Sequence, residues 1–148
     1  EAGEFDATFL ALAGLDRLGQ RHVATEIISP DVFLPACAQG AIGITCRADD
    51  TETLNYLAAL DDAETHVTVA CERAMLDALD GSCRTPIAGL ARIDGEQIRL
   101  KGMIFRPDGS EVLATDRHGP LADAERLGRD AGEELRTRAD PGFFDGTV

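Results

Sequence analysis

Basic residues are scarce in this chain. Against 27 Asp and Glu stand only 14 Lys and Arg, and the formal net charge of the 148 residues is −13. A surface this acidic repels phosphate backbones, so nucleic-acid binding is not expected. The plain consequence of the charge is solubility. Long apolar runs are missing too: nothing approaches the roughly 20 consecutive apolar residues that cross a bilayer. The opening Glu1-Ala-Gly-Glu-Phe has neither a basic start nor an apolar block, so no signal peptide is expected, and there is no initiator Met. A cytoplasmic protein without membrane attachment is the expectation. Low-complexity tracts are absent, the 44% hydrophobic and 28% charged composition is globular, and the length suffices for one ordinary domain with a core.

Metal-ligand spacings are lacking. The four cysteines, Cys37, Cys46, Cys71 and Cys83, are separated by long irregular gaps, with no C-x-x-C and no H-x-x-x-H. No zinc site and no other metal site is expected. A disulfide framework is not expected in a chain without a secretion signal. Cys37, Cys46 and Cys71 are therefore expected to be small buried apolar residues. His22, His66 and His118 are dispersed and gain no role. Asp61, Asp62 and Glu64 read as helix-start acids favoured by the macrodipole, not as a catalytic pair.

What is present falls into two unlike halves. In the first, Phe9-Leu10-Ala11-Leu12 reads as a buried strand, followed by a short helical turn closed at Gly19. Ser29-Pro30-Asp31 is a turn signal, and Val32-Phe33-Leu34 is a candidate short strand. A small-residue loop, Pro35 to Gly40, leads into a candidate buried strand ending near Cys46. Asp50 or Thr51 caps a helix over about 51–60. These pieces cannot close a core of their own. Phe5 to Leu12 looks buried on both faces, as in a parallel sheet whose neighbours lie elsewhere. Residues 1–60 are expected to be disordered, or associated with a missing N-terminal part.

The second half is self-contained. A helix over about 62–79 presents Val67, Ala70, Cys71, Ala74, Met75, Ala78 and Leu79 as one buried stripe, with Gly81 at the C′ position. Its small residues allow close approach of a neighbouring helix. The period then changes to two. Ile87 to Ile93, Glu96 to Phe105 and Glu111 to Arg117 form an antiparallel meander, turning at Asp94-Gly95 and at Arg106 to Ser110. In the middle strand Ile98, Leu100, Gly102 and Ile104 share a face. A helix over about 121–138 follows, with Leu121, Ala124, Leu127, Ala131 and Leu135 on one side, and Phe143-Phe144 is a candidate docked tail. The reading is a compact α+β domain of three antiparallel strands with helices.

Cys83 stands apart from the other cysteines. It follows a helix end in a Gly-Ser-Cys-Arg loop, a place where function concentrates, and Arg84 beside it favours the thiolate. Position alone leaves two readings open, a functional thiol and an inert loop thiol.

Three segments in register carry a resemblance: Leu12 to Gly19 (LAGLDRLG), Leu34 to Arg47 (LPACAQGAIGITCR), and Glu72-Arg73-Ala74-Met75 leading to Asp80 to Ala88 (DGSCRTPIA). Together they resemble the C-terminal portion of the porphobilinogen deaminase (hydroxymethylbilane synthase) family across nearly the whole chain. The resemblance implies three domains, the first two like the lobes of periplasmic binding proteins. Residues 1–34 would then end domain two, 35–61 would return to complete domain one as an α/β remnant, and 62–148 would form the α+β domain three.

The resemblance also implies chemistry. Cys83 would hold a covalent dipyrromethane cofactor through a thioether. Each porphobilinogen would lose ammonia to give an azafulvene-like electrophile, attacked by the free α-position of the growing pyrrole chain, and hydrolysis would release linear hydroxymethylbilane. Arg17 and Arg47 match carboxylate-binding positions, although either would otherwise read as a solvated surface arginine. Gln39 and Gly40 match an interdomain loop near the cofactor, with a simple tight turn as the equal alternative. Arg84 flanks the cofactor thiol. Arg73 is expected to be structural, in an ion pair within its helix or across a domain contact. No catalytic residue is expected in this stretch, because the family's aspartate and most of its arginines lie N-terminal to it. The N-terminal half of the same enzyme is thus the expected partner, the whole enzyme being a monomer. This stretch alone would be inactive. The sequence departs from the common pattern at Ser82, Thr85 and Cys37. The competing readings are a non-catalytic ligand module like a periplasmic-binding lobe, and a purely structural α+β domain.

Overall fold

The computed structural model of the chain describes residue 3, residues 5–81 and residues 85–146. They divide into two units, Glu1–Phe33 and Leu34–Val148.

In the first unit helix α1 (Leu12–Arg17) forms, Gly19 closes it with φ +65, as its glycine predicts, and a 3₁₀ turn follows at Arg21–Val23. Arg21 clamps Asp16 with two bonds of 2.8 and 3.0 Å. Phe9 stacks on Phe33 with ring centroids 5.5 Å apart. The strands expected at 9–12 and 32–34 do not form, and Phe9, Leu10, Val32 and Phe33 are exposed. A strand exists only beside a hydrogen-bonded neighbour, and none is present here. The same holds for 41–46, where Ile42, Ile44 and Cys46 are exposed instead of buried. Of residues 5–60 only Leu15 is buried.

The second unit holds the core. Helix α2 (Thr51–Ala58) is capped by Asp50, which accepts from the Thr53 N–H at 3.0 Å, and it buries none of its residues. Helix α3 (Ala63–Ala78) starts at Asp62, which accepts from Thr65 N–H at 2.8 Å. The three strands β1 (Ile87–Asp94), β2 (Gln97–Phe105) and β3 (Val112–Pro120) form one antiparallel sheet in sequence order. A 3₁₀ turn at Leu121–Asp123 leads into helix α4 (Ala124–Arg138). Both helices cover one face of the sheet, where Ile98, Leu100 and Ile104 join Cys71, Met75, Leu127, Ala131 and Leu135. Phe143 docks into this core, and the Arg106 guanidinium lies 4.8 Å from its ring centroid.

Small residues set the packing distances. Gly89 and Gly102 are paired across β1 and β2, and Met75 fills the hollow above them. A Cβ on Gly102 would sit 2.4 Å from Met75 Sδ, and one on Gly89 2.7 Å from Met75 Cε. Gly128 and Gly132 do the same between helices. A Cβ on Gly128 would lie 2.0 Å from the Cys71 carbonyl oxygen, and one on Gly132 2.6 Å from that of Met75. The close helix approach anticipated from α3 is therefore shared with two glycines on α4.

Three local readings shift. The C′ residue of α3 is Asp80, with φ +51, not Gly81. Gly81 is the next residue, and its N–H bonds the Leu76 carbonyl at 3.0 Å while Asp80 N–H bonds Asp77 at 3.1 Å. That is the Schellman pattern. Glycine stands at 81 because a Cβ there would be 2.5 Å from Ile87 Cδ1 and 2.7 Å from Leu76 Cδ1. The first hairpin turns at Gly95-Glu96, since Asp94 pairs with Gln97. Strand β3 runs on to Pro120, tolerated because the strand is at the sheet's edge.

Candidate functional site

The residues singled out in the sequence fall in different places. Cys83 and Arg84 lie outside the described residues. The stems of their loop are described: Gly81 is wedged against Leu76 and Ile87, and the Pro86 carbonyl accepts the Phe105 N–H at 3.0 Å. Arg17 ends α1 in the first unit, exposed. Gln39, Gly40 and Arg47 belong to the second unit and are exposed. Gln39 and Gly40 share one turn, with Gly40 at φ +86 and open space where a side chain would be. Neither Arg17 nor Arg47 forms an ion pair among the described residues, unlike Arg21, Arg99, Arg106, Arg117, Arg126 and Arg138. Arg73 is exposed and makes no ion pair among the described residues, so the pairing expected within its helix is not there.

The turn at 35–40 is fastened to the edge of β1. Pro35 carbonyl accepts the Gly89 N–H at 3.0 Å. Cys37 packs on the core, its sulfur lying 2.8 Å from where a Gly89 Cβ would be. Ala38 holds φ +59, a conformation that non-glycine residues adopt only under constraint. The constraint is Glu72 on α3, a residue only 5% exposed. One of its oxygens accepts the Ala38 N–H at 2.6 Å and the other the Ala91 N–H of β1 at 2.7 Å. Burial raises its pKa, and the bonds from Ala91 and Ala38 oppose the rise.

Sequence reasoning gave Glu72 no role. The signal was there: Glu72 lies seven residues before Leu79, hence on the same side of α3, beside the buried stripe.

Two of the other thiols, Cys37 and Cys71, are held in the unreactive thiol form. Burial, reinforced by the Glu72 charge, pushes Cys37 up to about 12 and Cys71 up to about 11. Among the described residues no group of His, Cys, Asp and Glu could hold a metal ion. No helix among them is long and apolar enough to cross a membrane.

Comparison with known proteins accounts for most of the chain. A family profile described as porphobilinogen deaminase, dipyromethane cofactor binding domain, matches residues 1–55. A second, described as porphobilinogen deaminase, C-terminal domain, matches residues 66–137. The chain is 56% identical over 145 residues to a porphobilinogen deaminase of Paracoccus denitrificans, covering 98% of this chain and 46% of the relative. It is 52% identical over 143 residues to a porphobilinogen deaminase of Nitrobacter hamburgensis, covering 97% of this chain and 45% of that protein. The chain thus spans about half the length of the curated relatives it matches.

Proposed function

The chain belongs to the porphobilinogen deaminase family, and on that premise we propose that it is the C-terminal part of a transferase building hydroxymethylbilane from porphobilinogen. The primer is a dipyrromethane joined to Cys83 by a thioether. The observation that carries this reading is the 56% identity over 145 residues, a span that includes the whole α3–β1 junction.

The residues present fit such a group. A thioether needs one thiol, and Cys83 follows in sequence a helix whose end is locked by the Schellman bonds at Asp80 and Gly81. A polycarboxylate chain needs uncommitted cations, and Arg17 and Arg47 supply two, with Arg84 beside the thiol. The Gln39-Gly40 turn offers an amide side chain and backbone with no side chain in the way. The cofactor supplies a nucleophilic pyrrole carbon for chain growth; the residues of this chain hold and orient it.

The remaining parts of the reading concern the whole enzyme. Residues 1–34 end its second domain, 35–61 return to complete the first, and both are α/β pieces of a periplasmic-binding-like pair of lobes. The exposure of Phe9, Leu10, Val32, Phe33, Ile42 and Ile44 supports this, since those side chains await partners. The N-terminal half supplies the catalytic acid and most carboxylate-binding arginines, so this stretch alone is inactive. The whole enzyme is read as a cytoplasmic monomer acting on porphobilinogen and the growing pyrrole chain.

The test is an intact mass of the full-length protein with peptide mapping across 79–92. The expected result is a dipyrromethane adduct on Cys83 that survives thiol reductants and is absent from Cys83→Ala. An unmodified Cys83 in active full-length enzyme would refute the assignment. A ligand module of the periplasmic-binding kind predicts no adduct and no dependence on this thiol.

A further inference from the structure

Glu72 is the one carboxylate buried among the described residues, and nothing in the reading above uses it. Burying a charge is costly unless it is hydrogen-bonded. Here both oxygens are engaged, and by backbone N–H groups of two different segments. Neither bond serves helix α3 itself. One closes the unpaired edge of β1; the other holds Ala38 in its left-handed conformation. Glutamine would not serve in its place: its amide has one acceptor, and its NH₂ would face a second N–H. The choice of a carboxylate, despite its burial, follows from the need for two acceptors at one point.

We infer that Glu72 is a positioning residue, tethering the 34–40 segment to the cofactor-bearing α+β unit so that the Gln39-Gly40 turn moves with that unit and not with the segment after it. This rests on the assignment of the cofactor to Cys83. Two anchors define the arrangement: Pro35 on Gly89 and Ala38 on Glu72. The stem of the Cys83 loop enters the same strand at Pro86-Ile87. The turn and the loop therefore share β1 as a common base. Beyond Gly40 no such anchor follows: residues 41–49 are exposed and form no helix or strand. The flexing point of the return segment lies after Gly40.

The test is amide exchange by mass spectrometry on the full-length protein, wild type and Glu72→Gln. In wild type, the peptide 34–40 should exchange at least tenfold more slowly than 41–48. In Glu72→Gln its exchange should rise roughly tenfold or more, the effect of losing one bond to a charged acceptor, while β2, β3 and α4 stay protected. Turnover should fall through kcat while the adduct on Cys83 remains, which mere destabilisation would not do. Equal exchange of 34–40 and 41–48 in wild type would overturn the tether. So would unchanged exchange of 34–40 in the variant. If Glu72→Gln fails to fold, Ala38→Gly keeps the N–H and relieves the left-handed strain, so exchange at 34–40 should slow; no slowing would overturn it. A protected 34–40 segment with an unmodified Cys83 would sink the cofactor reading and leave the tether standing.

Discussion

Gly128→Ala adds one methyl group, in the direction that intrinsic helix propensity favours by about 1 kcal/mol. The structure reverses that sign. The new Cβ would sit 2.0 Å from the Cys71 carbonyl oxygen and 3.0 Å from Ala74 Cβ. The first figure is about 1 Å short of any approach that real Cβ atoms make. The obstacle is backbone, so no rotamer change relieves it, and α4 must back away from α3. A radial gap of about 1 Å forfeits up to half of the dispersion well across the contact. Overpacking typically costs about 1–3 kcal/mol, and a backbone clash belongs at the upper end. Net of propensity, a loss of about 2 kcal/mol is expected. For a domain of this size that lowers Tm by roughly 8–16 °C. Thermal unfolding followed by circular dichroism measures it. Gly14→Ala in α1 is the control, because open space surrounds its Cβ and its φ is not positive. It should leave the transition of the second unit within about 2 °C of wild type. A Gly128→Ala protein that melts within that same margin would refute the packing argument.

Two further outcomes follow from charge and burial. Glu134 accepts from Thr115 Oγ1 at 2.7 Å and from Arg138 at 2.7 Å, and also pairs with Arg117; these hold its pKa down to about 2. A depressed carboxyl stabilises the fold above its unfolded value of about 4.3 and loses that contribution as pH falls toward 2. Glu134→Gln should therefore flatten stability between about pH 4.5 and 2 and cost about 1 kcal/mol at pH 7, allowing for partial exposure; denaturant melts across that range would show it. Iodoacetamide at pH 8 should label exposed Cys46 quickly but Cys37 and Cys71 only after denaturation. With pKa values near 12 and 11, roughly one in ten thousand and one in a thousand of those thiols is thiolate. Rapid native labelling of Cys37 would contradict its burial.

The second unit was legible because its signals are local. Period-two alternation over 98–104, the stripe from Val67 to Leu79 and the turn glycines each specify their own element, and the sheet and helices follow. The first 60 residues were misread where strands were expected. Apolar runs such as Phe9 to Leu12 mark residues meant for burial, but a strand needs a neighbour to bond, and the run itself does not supply one. At the candidate site, the cysteine and arginines were named by their motifs. Glu72 was not, because its role arises from two backbone N–H groups, one 34 residues upstream and one 19 downstream, brought together only by the fold. The left-handed Asp80 was missed because Gly81 beside it seemed the natural occupant; steric closeness to Ile87, not φ, is what calls for glycine there.

The edge of β1 carries a consequence of its own. An exposed strand edge is a template for pairing with another chain. Here the outward N–H groups of Gly89 and Ala91 are occupied by Pro35 and Glu72. At the far side of the sheet, Arg138 covers the Ala114 carbonyl of β3 at 2.7 Å. The segment that presents Gln39 and Gly40 is thereby also a gatekeeper against self-association. Peeling it away would bare a short sticky edge, so loss of the tether and loss of solubility are two faces of one event.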